Sequence, residues 1–368
     1  MFMEFVILFF LIIFLSYANG SNDISKGIAT LVGSGVADYK KAVLWGTFWT
    51  AIGSLLSAMF SVNMVKTFGN GLVLNDTFKN ANFVLSVLVG ASGWVILSSR
   101  IGMPVSTTHA IVGAIAGAGL VSVGWNGIMW NSVLNKILMP LLLSPLISFV
   151  LTFILFPLLK KPLYRAVNYC LCLESREKVL VPCCDSAAAV STGISEAKVV
   201  VDEEKACDNS LITTMRLNLL DTMHWLSSGF VCMTRGLNDT PKIAAIILPF
   251  SLFADRWVFF FLALAMAIGG YLYGLKTTET LSFKVTRMNH VEGFISNTIT
   301  GILVWSASHS GLPVSTTHVS SSAIMACGIR KGMKFIDKKI VSEILLSWLV
   351  TIPISALISA ISYFILAL

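Results

Sequence analysis

Hydrophobic residues fall in ten long segments along the chain, separated by polar stretches of which one is much longer than the rest. Each segment is long enough to cross, or nearly cross, the roughly 30 Å hydrocarbon core of a bilayer. The segments cover residues 5–36, 42–64, 81–99, 104–123, 133–158, 217–253, 257–275, 290–308, 312–329 and 340–368. This pattern predicts an all-α integral membrane protein with two sets of five helical segments.

Two sequence motifs occur twice and in the same order. The hexapeptide Pro-Val-Ser-Thr-Thr-His occupies residues 104–109 and 313–318, and an Asn-Asp motif, Asn-Asp-x-x-Lys, occupies residues 22–26 and 238–242. Six unchanged residues in the same order indicate a duplicated chain. We therefore predict a first transmembrane repeat at 1–158, a polar linker at 159–214 and a second repeat at 215–368.

The composition excludes a soluble protein. Hydrophobic residues make up 55% of the chain and charged residues 12%, with a mean hydropathy of +0.81, against roughly 25% charged residues in soluble domains. In a membrane protein the net charge of +7 reflects basic residues in the loops on one side of the membrane, so we expect no nucleic-acid partner. The apolar run at 5–17 follows an acidic residue and no basic one, so we interpret it as a retained first segment rather than a signal peptide.

The distribution of basic residues predicts the topology. If the N-terminus lies outside and each repeat crosses five times, most of the 26 lysines and arginines fall in cytoplasmic loops, as the positive-inside rule requires. Both termini are then outside and the linker is cytoplasmic, in a multi-pass protein of the plasma or inner membrane. An odd number of crossings places the second repeat upside down. Such inverted-topology repeats bring broken or re-entrant helices together near the midplane.

The two hexapeptides have the chemistry of an anion site. Proline in the first helical turn, hydroxyl side chains and free amide donors together favour a tetrahedral oxyanion at a helix N-terminus. The alternative is that the hydroxyl groups only cap their own helices. The candidate anion ligands are Ser106, Thr107, Thr108, Ser315, Thr316 and Thr317.

Asp23 and Asp239 each interrupt an apolar segment. An ionised aspartate at such a position costs about 2.5–3.5 kcal/mol on the insertion scale, so both are candidates to bind a cation or a proton. Lys26 and Lys242 follow three residues later, on the same side of a helical turn. These lysines either neutralise the aspartates or attract an anion, and the sequence leaves both open.

Other chemistry-bearing residues give weaker signals. Arg100, Arg235 and Asp221 have no assigned role, and the five histidines fit capping or packing. We predict no catalytic group and no metal site, because no His/Cys/carboxylate cluster has metal-ligand spacing. Five cysteines near the linker are interpreted as reduced thiols: Cys170, Cys172, Cys183, Cys184 and Cys207. Six glycines are expected at close helix contacts: Gly90, Gly93, Gly113, Gly117, Gly269 and Gly270.

The duplicated motifs resemble those of the inorganic phosphate transporter (PiT) family. The resemblance is carried by Gly20-Ser21-Asn22-Asp23, by Gly236-Leu237-Asn238-Asp239 and by both hexapeptides. It implies orthophosphate uptake by Na⁺ or H⁺ symport without a cofactor, with phosphate between the hexapeptides. Asn22 and Asn238 then bind substrate beside the aspartates. Many sodium-coupled members carry small or amide residues where this chain has Lys26 and Lys242, which suggests reduced sodium dependence and proton coupling.

Three other functions remain open. The first is a sulfate permease of the same architecture. The carboxylates of Asp23 and Asp239 disfavour it, because they can accept hydrogen bonds from phosphate, whereas sulfate has none to donate. The second, more distant, is an intramembrane phosphatase acting on lipid phosphates, for which no nucleophile with an arginine clamp is visible. The third is a channel or sensor. Apolar faces rich in small residues also permit a homodimer in the bilayer.

Overall fold

The computed structural model describes residues 2–60, 62–74, 77–166, 169–176, 196–203, 213–249 and 257–368. Its membrane part is helical. Before the linker the helices are α1 (Phe2–Asp23), α2 (Ser25–Gly33), α3 (Tyr39–Phe60), α4 (Val62–Asn70), α5 (Ala81–Ile101), α6 (Thr107–Ser122), α7 (Trp130–Ser132) and α8 (Met139–Ala166). After it they are α9 (Leu219–Ile247), α10 (Trp257–Tyr273), α11 (Leu275–Glu279), α12 (His290–His309), α13 (Thr316–Lys331) and α14 (Lys338–Ala367).

The described part of the linker is a small antiparallel sheet. Strands β1 (Tyr169–Arg176), β2 (Glu196–Glu203) and β3 (Thr213–Asn218) lie in the order β2-β1-β3. Regular β-structure therefore lies in segments for which the sequence indicated only a polar linker. Cys183, Cys184 and Cys207 lie outside the described residues.

The two Asn-Asp motifs differ in their backbone. In the first copy α1 ends at Asp23 and α2 begins at Ser25, with only Ile24 between them. The dihedral angles of Ile24 are helical, so α1 continues into α2 without a re-entrant turn. In the second copy α9 runs unbroken through the motif with Pro241 inside it. The expected break is a one-residue interruption in the first copy and is absent from the second.

Both hexapeptides lead into a helix, as predicted, but the prolines do not lie in the first helical turn. Pro104 and Pro313 each come two residues before the N-cap, Ser106 or Ser315. Gly102 and Gly311 follow α5 and α12 with φ of 78° and 69°, a left-handed conformation in which glycine has no Cβ penalty. The chain then turns, and α6 and α13 each begin within the hexapeptide. Each of these two helices has 16 residues, about 24 Å at 1.5 Å per residue, which is shorter than the bilayer core.

Five of the described helical units are long and apolar enough to cross a membrane, or six if the bent pair α10 and α11 with its following π-turn counts as one span. This is fewer than the ten predicted segments. Helix α6, with 16 residues, is too short to count as a full membrane span, and α9 carries four charged residues along its length. The spans give a multi-pass membrane protein whose interior helices are unusually polar.

Corresponding helices of the two repeats have corresponding neighbours. Helix α1 packs against α10, and its counterpart α9 packs against α3. Helix α6 packs against α14, and its counterpart α13 packs against α8. Each repeat therefore buries its motif helices against helices of the other repeat, so that the centre of the protein lies between the two.

Polarity is arranged inside out compared with a soluble protein. Large apolar side chains such as Phe48, Ile154 and Leu349 are exposed on the outer faces. The side chains of Lys26, Arg235 and Lys242 are fully buried in the centre. An apolar exterior around a polar interior is the arrangement that a hydrocarbon solvent favours.

Close packing is confirmed at five of the six glycines predicted to serve it. An added Cβ at Gly117, for example, would lie 2.0 Å from the carbonyl oxygen of Ala356. The prediction is wrong for Gly93, where a Cβ would meet no atom within 4 Å.

Candidate functional site

The motif side chains meet in one buried cluster between the repeats. Its charged members come from the α1–α2 junction and from the middle of α9, and the N-termini of α6 and α13 approach from the other two sides. All predicted site residues are at most 3% exposed. We call the five polar residues that bridge these elements the central cluster: Asn19, Asp23, Lys26, Asp239 and Lys242.

Asn19 is a member of the central cluster that the sequence reasoning missed. Its Nδ2 lies 2.7 Å from Asp23 Oδ2, 3.1 Å from Thr107 Oγ1 and 3.4 Å from Asp239 Oδ2. One side chain thus joins both aspartates and the first hexapeptide. The available signal was an amide in an apolar run, four residues before Asp23 and so on the same helical face.

Lys26 is surrounded by oxygen atoms of its own motif. Its Nζ donates to the carbonyl oxygen of Asn22 at 2.7 Å, to Asn22 Oδ1 at 2.7 Å and to Asp23 Oδ1 at 2.8 Å. Three oxygens around one ammonium group form the kind of site that also suits a small cation. Of the two roles left open by the sequence, this structure has the lysine paired with the aspartate.

Lys242 has an equivalent pairing and also reaches the other repeat. Its Nζ lies 3.2 Å from Asp239 Oδ1, 2.9 Å from the carbonyl oxygen of Val314 and 2.8 Å from Thr108 Oγ1. The ammonium group therefore contacts the second hexapeptide through its backbone and the first through a hydroxyl group. A movement between the repeats would alter these contacts.

Asn22 and Asn238 fasten each Asn-Asp motif to its own hexapeptide. Asn22 Nδ2 donates to the carbonyl of Met103 at 2.9 Å, and its Oδ1 accepts from the amide of Val105 at 3.1 Å. Asn238 Nδ2 donates to the carbonyl of Val314 at 2.9 Å. Both asparagines thus satisfy backbone groups in the turn that precedes α6 or α13.

The hexapeptide hydroxyl groups have different partners. Ser106 and Ser315 are N-caps that accept from the amides of His109 and His318, each at 3.2 Å. Thr107 donates to Asp23 Oδ2 at 3.0 Å, and Thr317 donates across the interface to the carbonyl of Val105 at 2.7 Å. Thr316 is buried in the same region.

The histidines of the two hexapeptides pack against each other. The ring centroids of His109 and His318 are 4.4 Å apart, and His318 also stacks on Trp348 at 3.9 Å. Nε2 of His318 is buried and has no hydrogen-bond partner among the described residues. The packing role predicted for these histidines is what the geometry displays, and it joins the two repeats directly.

The chain also resembles known proteins. The Phosphate transporter family matches residues 19–359. The chain belongs to that family. The resemblance drawn from the motifs is thereby confirmed, and the chain is a member of a transporter family rather than an enzyme family.

Two curated relatives of this family cover nearly the whole chain. A probable low-affinity inorganic phosphate transporter of Bacillus subtilis is 29% identical over 360 residues, with 95% of this chain and 93% of the relative covered. A protein of the same description from Rhizobium meliloti is 28% identical over 352 residues, with 96% and 93% covered.

One solved structure, described as the sodium-dependent phosphate transporter, matches 99% of both chains with a TM-score of 0.77 and 23% identity. The chain therefore has the fold of that protein.

In this member of the Phosphate transporter family, each hexapeptide borders a cavity. Pro104 lies beside one of about 80 Å³, together with Thr280, Lys284 and Glu343. Val314 lies beside a larger, mainly apolar one of about 490 Å³. The central cluster itself lines neither, so it is closed off from both in this structure.

The structure also gives the positions of Arg100, Asp221 and Arg235, for which the sequence indicated no role. Arg100 is exposed and lines a cavity with Tyr17 and Tyr273 that includes no residue of the central cluster. Asp221 lies 2.5 Å from His290 Nδ1 at the start of α9. Arg235 is fully buried next to Asn19, with Nη1 3.5 Å from Asn19 Oδ1.

Proposed function

We propose that the chain imports inorganic phosphate across the membrane by cation symport, with alternating access between two inverted repeats. The observation that carries the proposal is the meeting of two identical helix N-termini with two buried Asp–Lys pairs in one cluster. Helix N-termini and hydroxyl groups favour binding of phosphate, and the carboxylates of the Asp–Lys pairs can bind a cation or a proton. The family and the names of the relatives support phosphate as the substrate.

Phosphate would be held between the hexapeptides by hydroxyl and amide donors of α6 and α13. In this structure two of those hydroxyl groups have internal partners: Thr107 donates to Asp23, and Thr108 accepts from Lys242. Binding would exchange such contacts for contacts to phosphate oxygens. Asn22 and Asn238 would keep the two turns in position around the anion.

The coupling ion in this proposal is a proton. The ammonium groups of Lys26 and Lys242 fill oxygen-lined positions that a sodium ion would otherwise require. A proton arriving on Asp23 or Asp239 would neutralise the carboxylate that holds the lysine. The freed ammonium group could then turn to the phosphate, which links proton binding to anion binding.

The sulfate alternative is less well supported by the same geometry. Phosphate near neutral pH has O–H groups to donate, and Asp23 and Asp239 supply carboxylate acceptors in the cluster. Sulfate has no such proton, so it could accept from the hexapeptide donors but could not donate to the two buried carboxylates, which would repel it.

The decisive experiment is uptake of labelled phosphate by liposomes containing the purified protein, with pH and Na⁺ gradients imposed separately. We expect uptake with an inward proton gradient alone, little inhibition by excess sulfate, and none of this uptake in Asp23→Asn. Carriage of sulfate but not phosphate would overturn the substrate, and uptake driven only by Na⁺ would overturn the coupling ion.

The inverted topology has a separate test at Arg100 and His309, which are exposed and occupy equivalent positions before the two hexapeptides. In Arg100→Cys and His309→Cys proteins, a membrane-impermeant thiol reagent should label position 100 from the cytoplasm and position 309 from outside. The unsubstituted chain gives the background from its own cysteines. Labelling of both positions from one side would contradict the inverted arrangement.

A further inference from the structure

Arg235 is a fully buried arginine in the centre of the membrane part. It lies in α9 one turn before Asp239, where the first repeat has Asn19 before Asp23. The two Asn-Asp motifs share their aspartate and lysine, so this position is where their charge differs. The second repeat alone brings an additional positive charge to the cluster.

The guanidinium group is incompletely partnered. Its Nη2 donates to Thr50 Oγ1 at 3.1 Å, the contact of Nη1 with Asn19 Oδ1 is long at 3.5 Å, and Nε has no partner. A guanidinium group carries five N–H donors. Among the described residues no carboxylate forms an ion pair with it, because Asp23 and Asp239 are already paired with the lysines.

The central cluster together with Arg235 therefore has an excess of one positive charge, two carboxylates against three cations. A buried unpaired charge is strongly unfavourable unless a counter-charge reaches it. Asn19 connects Arg235 to the hexapeptide, because it accepts from the guanidinium group and lies 3.1 Å from Thr107 Oγ1. An anion held at the hexapeptide would be one side chain away from the unused donors.

We propose that Arg235 binds the transported anion and that the phosphate bound at the central cluster carries one net negative charge. The bound species is dihydrogen phosphate, or equivalently hydrogen phosphate with one proton on the cluster. The fork of an arginine matches two oxygens of a tetrahedral oxyanion, which a lysine cannot do. This inference rests on the proposed function and adds to it the recognition residue and the charge of the substrate.

The test measures the phosphate KM in liposomes for Arg235→Gln, Arg235→Lys and a control, Arg330→Gln. Arg330 is exposed, and its guanidinium group lies over the ring of Phe153. We expect Arg235→Gln to raise KM at least tenfold, Arg235→Lys to give an intermediate rise, and the control to stay within twofold of wild type. A folded Arg235→Gln protein with an unchanged KM would overturn the proposal.

A second measurement needs no variant. The charged and titratable groups around the site are Asp23, Lys26, Cys232, Arg235, Asp239, Lys242, His109 and His318. The affinity of wild type for total phosphate should follow the monoanion fraction as pH rises through neutrality, and an affinity that follows the dianion would overturn the proposal even if both Arg235 variants misfold. A wild type that carries no phosphate at all would instead refute the proposed function.

Discussion

The ammonium nitrogen of Lys242 lies 2.8 Å from the hydroxyl oxygen of Thr108, so a lysine of the second repeat donates to the hexapeptide of the first. The same Nζ is held by Asp239 at 3.2 Å. The charge pair of one Asn-Asp motif and the hexapeptide of the other repeat are thus in direct contact. Changes at the carboxylate can reach the hexapeptide through one side chain.

Sodium dependence should be created or exposed by removing an ammonium group. In wild type we expect phosphate uptake at constant pH to be nearly independent of external Na⁺, because Lys26 and Lys242 already fill the oxygen-lined positions. Lys26→Asn leaves Asp23 and two Asn22 oxygens without a cation. Uptake by this variant should require Na⁺ or be lost.

The readout is initial uptake against Na⁺ concentration, with choline replacing Na⁺ at fixed pH. Lys41→Asn is a suitable control because Lys41 is 75% exposed and its partner Asp38 is 60% exposed. Wild-type uptake strictly proportional to external Na⁺ would contradict the assigned role of the lysines.

Asp23→Asn should abolish uptake and also destabilise the protein. The substitution leaves Lys26 buried and charged without its carboxylate, and breaking one side of a buried ion pair costs about 3–5 kcal/mol. Asp38→Asn is the matched control. The Lys41 backbone amide lowers the pKa of Asp38, so that residue is ionised too, yet its pair is exposed.

Thermal unfolding in detergent and phosphate uptake, measured on both variants, separate the two effects. We expect a marked loss of unfolding temperature for Asp23→Asn and no measurable change for Asp38→Asn. Unaltered uptake by Asp23→Asn would remove Asp23 from the coupling mechanism.

The two duplicated sequence motifs predicted much of the candidate site. Identical motifs in two repeats identified the aspartates, the lysines and both hexapeptides, and the structure gathers these residues in one cluster. Gly102 and Gly311 also stand before the hexapeptides in the sequence, and the left-handed turns they form there are a local property of the chain. Local signals of this kind can be read without knowledge of the fold.

Features that depend on tertiary contacts could not be predicted in the same way. Asn19 matters because Asp239, 220 residues away in sequence, comes within 3.4 Å of it. Helix α9 continues through Pro241 because one missing N–H is tolerated where neighbouring helices bury the segment. Gly93 matched the small-residue pattern, but no neighbouring element packs there.

Gly117→Ala should destabilise the contact between α6 and α14. The new Cβ would lie 2.0 Å from a backbone carbonyl oxygen of Ala356, which cannot move without its helix, and overpacking of this kind costs about 1–3 kcal/mol. Gly93→Ala is the control within the same repeat, since a Cβ there meets nothing within 4 Å. Alanine should be neutral or stabilising at that position, by up to about 1 kcal/mol of helix propensity.

Unfolding temperatures of the two alanine variants, measured side by side in the same detergent, give the comparison. A Gly117→Ala protein as stable as the Gly93→Ala protein would mean that α6 and α14 are not in close contact in the membrane.

Ser106 was predicted as a phosphate ligand, and its position at the N-cap of α6 gives a way to separate binding from capping. Its Oγ accepts from the amide of His109 at 3.2 Å and lies 2.8 Å from His109 Nδ1. Loss of an N-cap costs about 0.5–2 kcal/mol, so Ser106→Ala should lower the unfolding temperature. Ser106→Asn retains a capping oxygen and should restore it, because asparagine caps as well as serine. If the hydroxyl group also binds phosphate, both variants should raise the phosphate KM, whatever their stability.

If Ser106 only caps, the phosphate KM should stay near wild type in Ser106→Asn. Since Thr107 and Thr108 reach charged groups of the central cluster while Ser106 is occupied by its own helix, we expect Ser106→Asn to keep a KM within about threefold of wild type, a difference of about 0.65 kcal/mol.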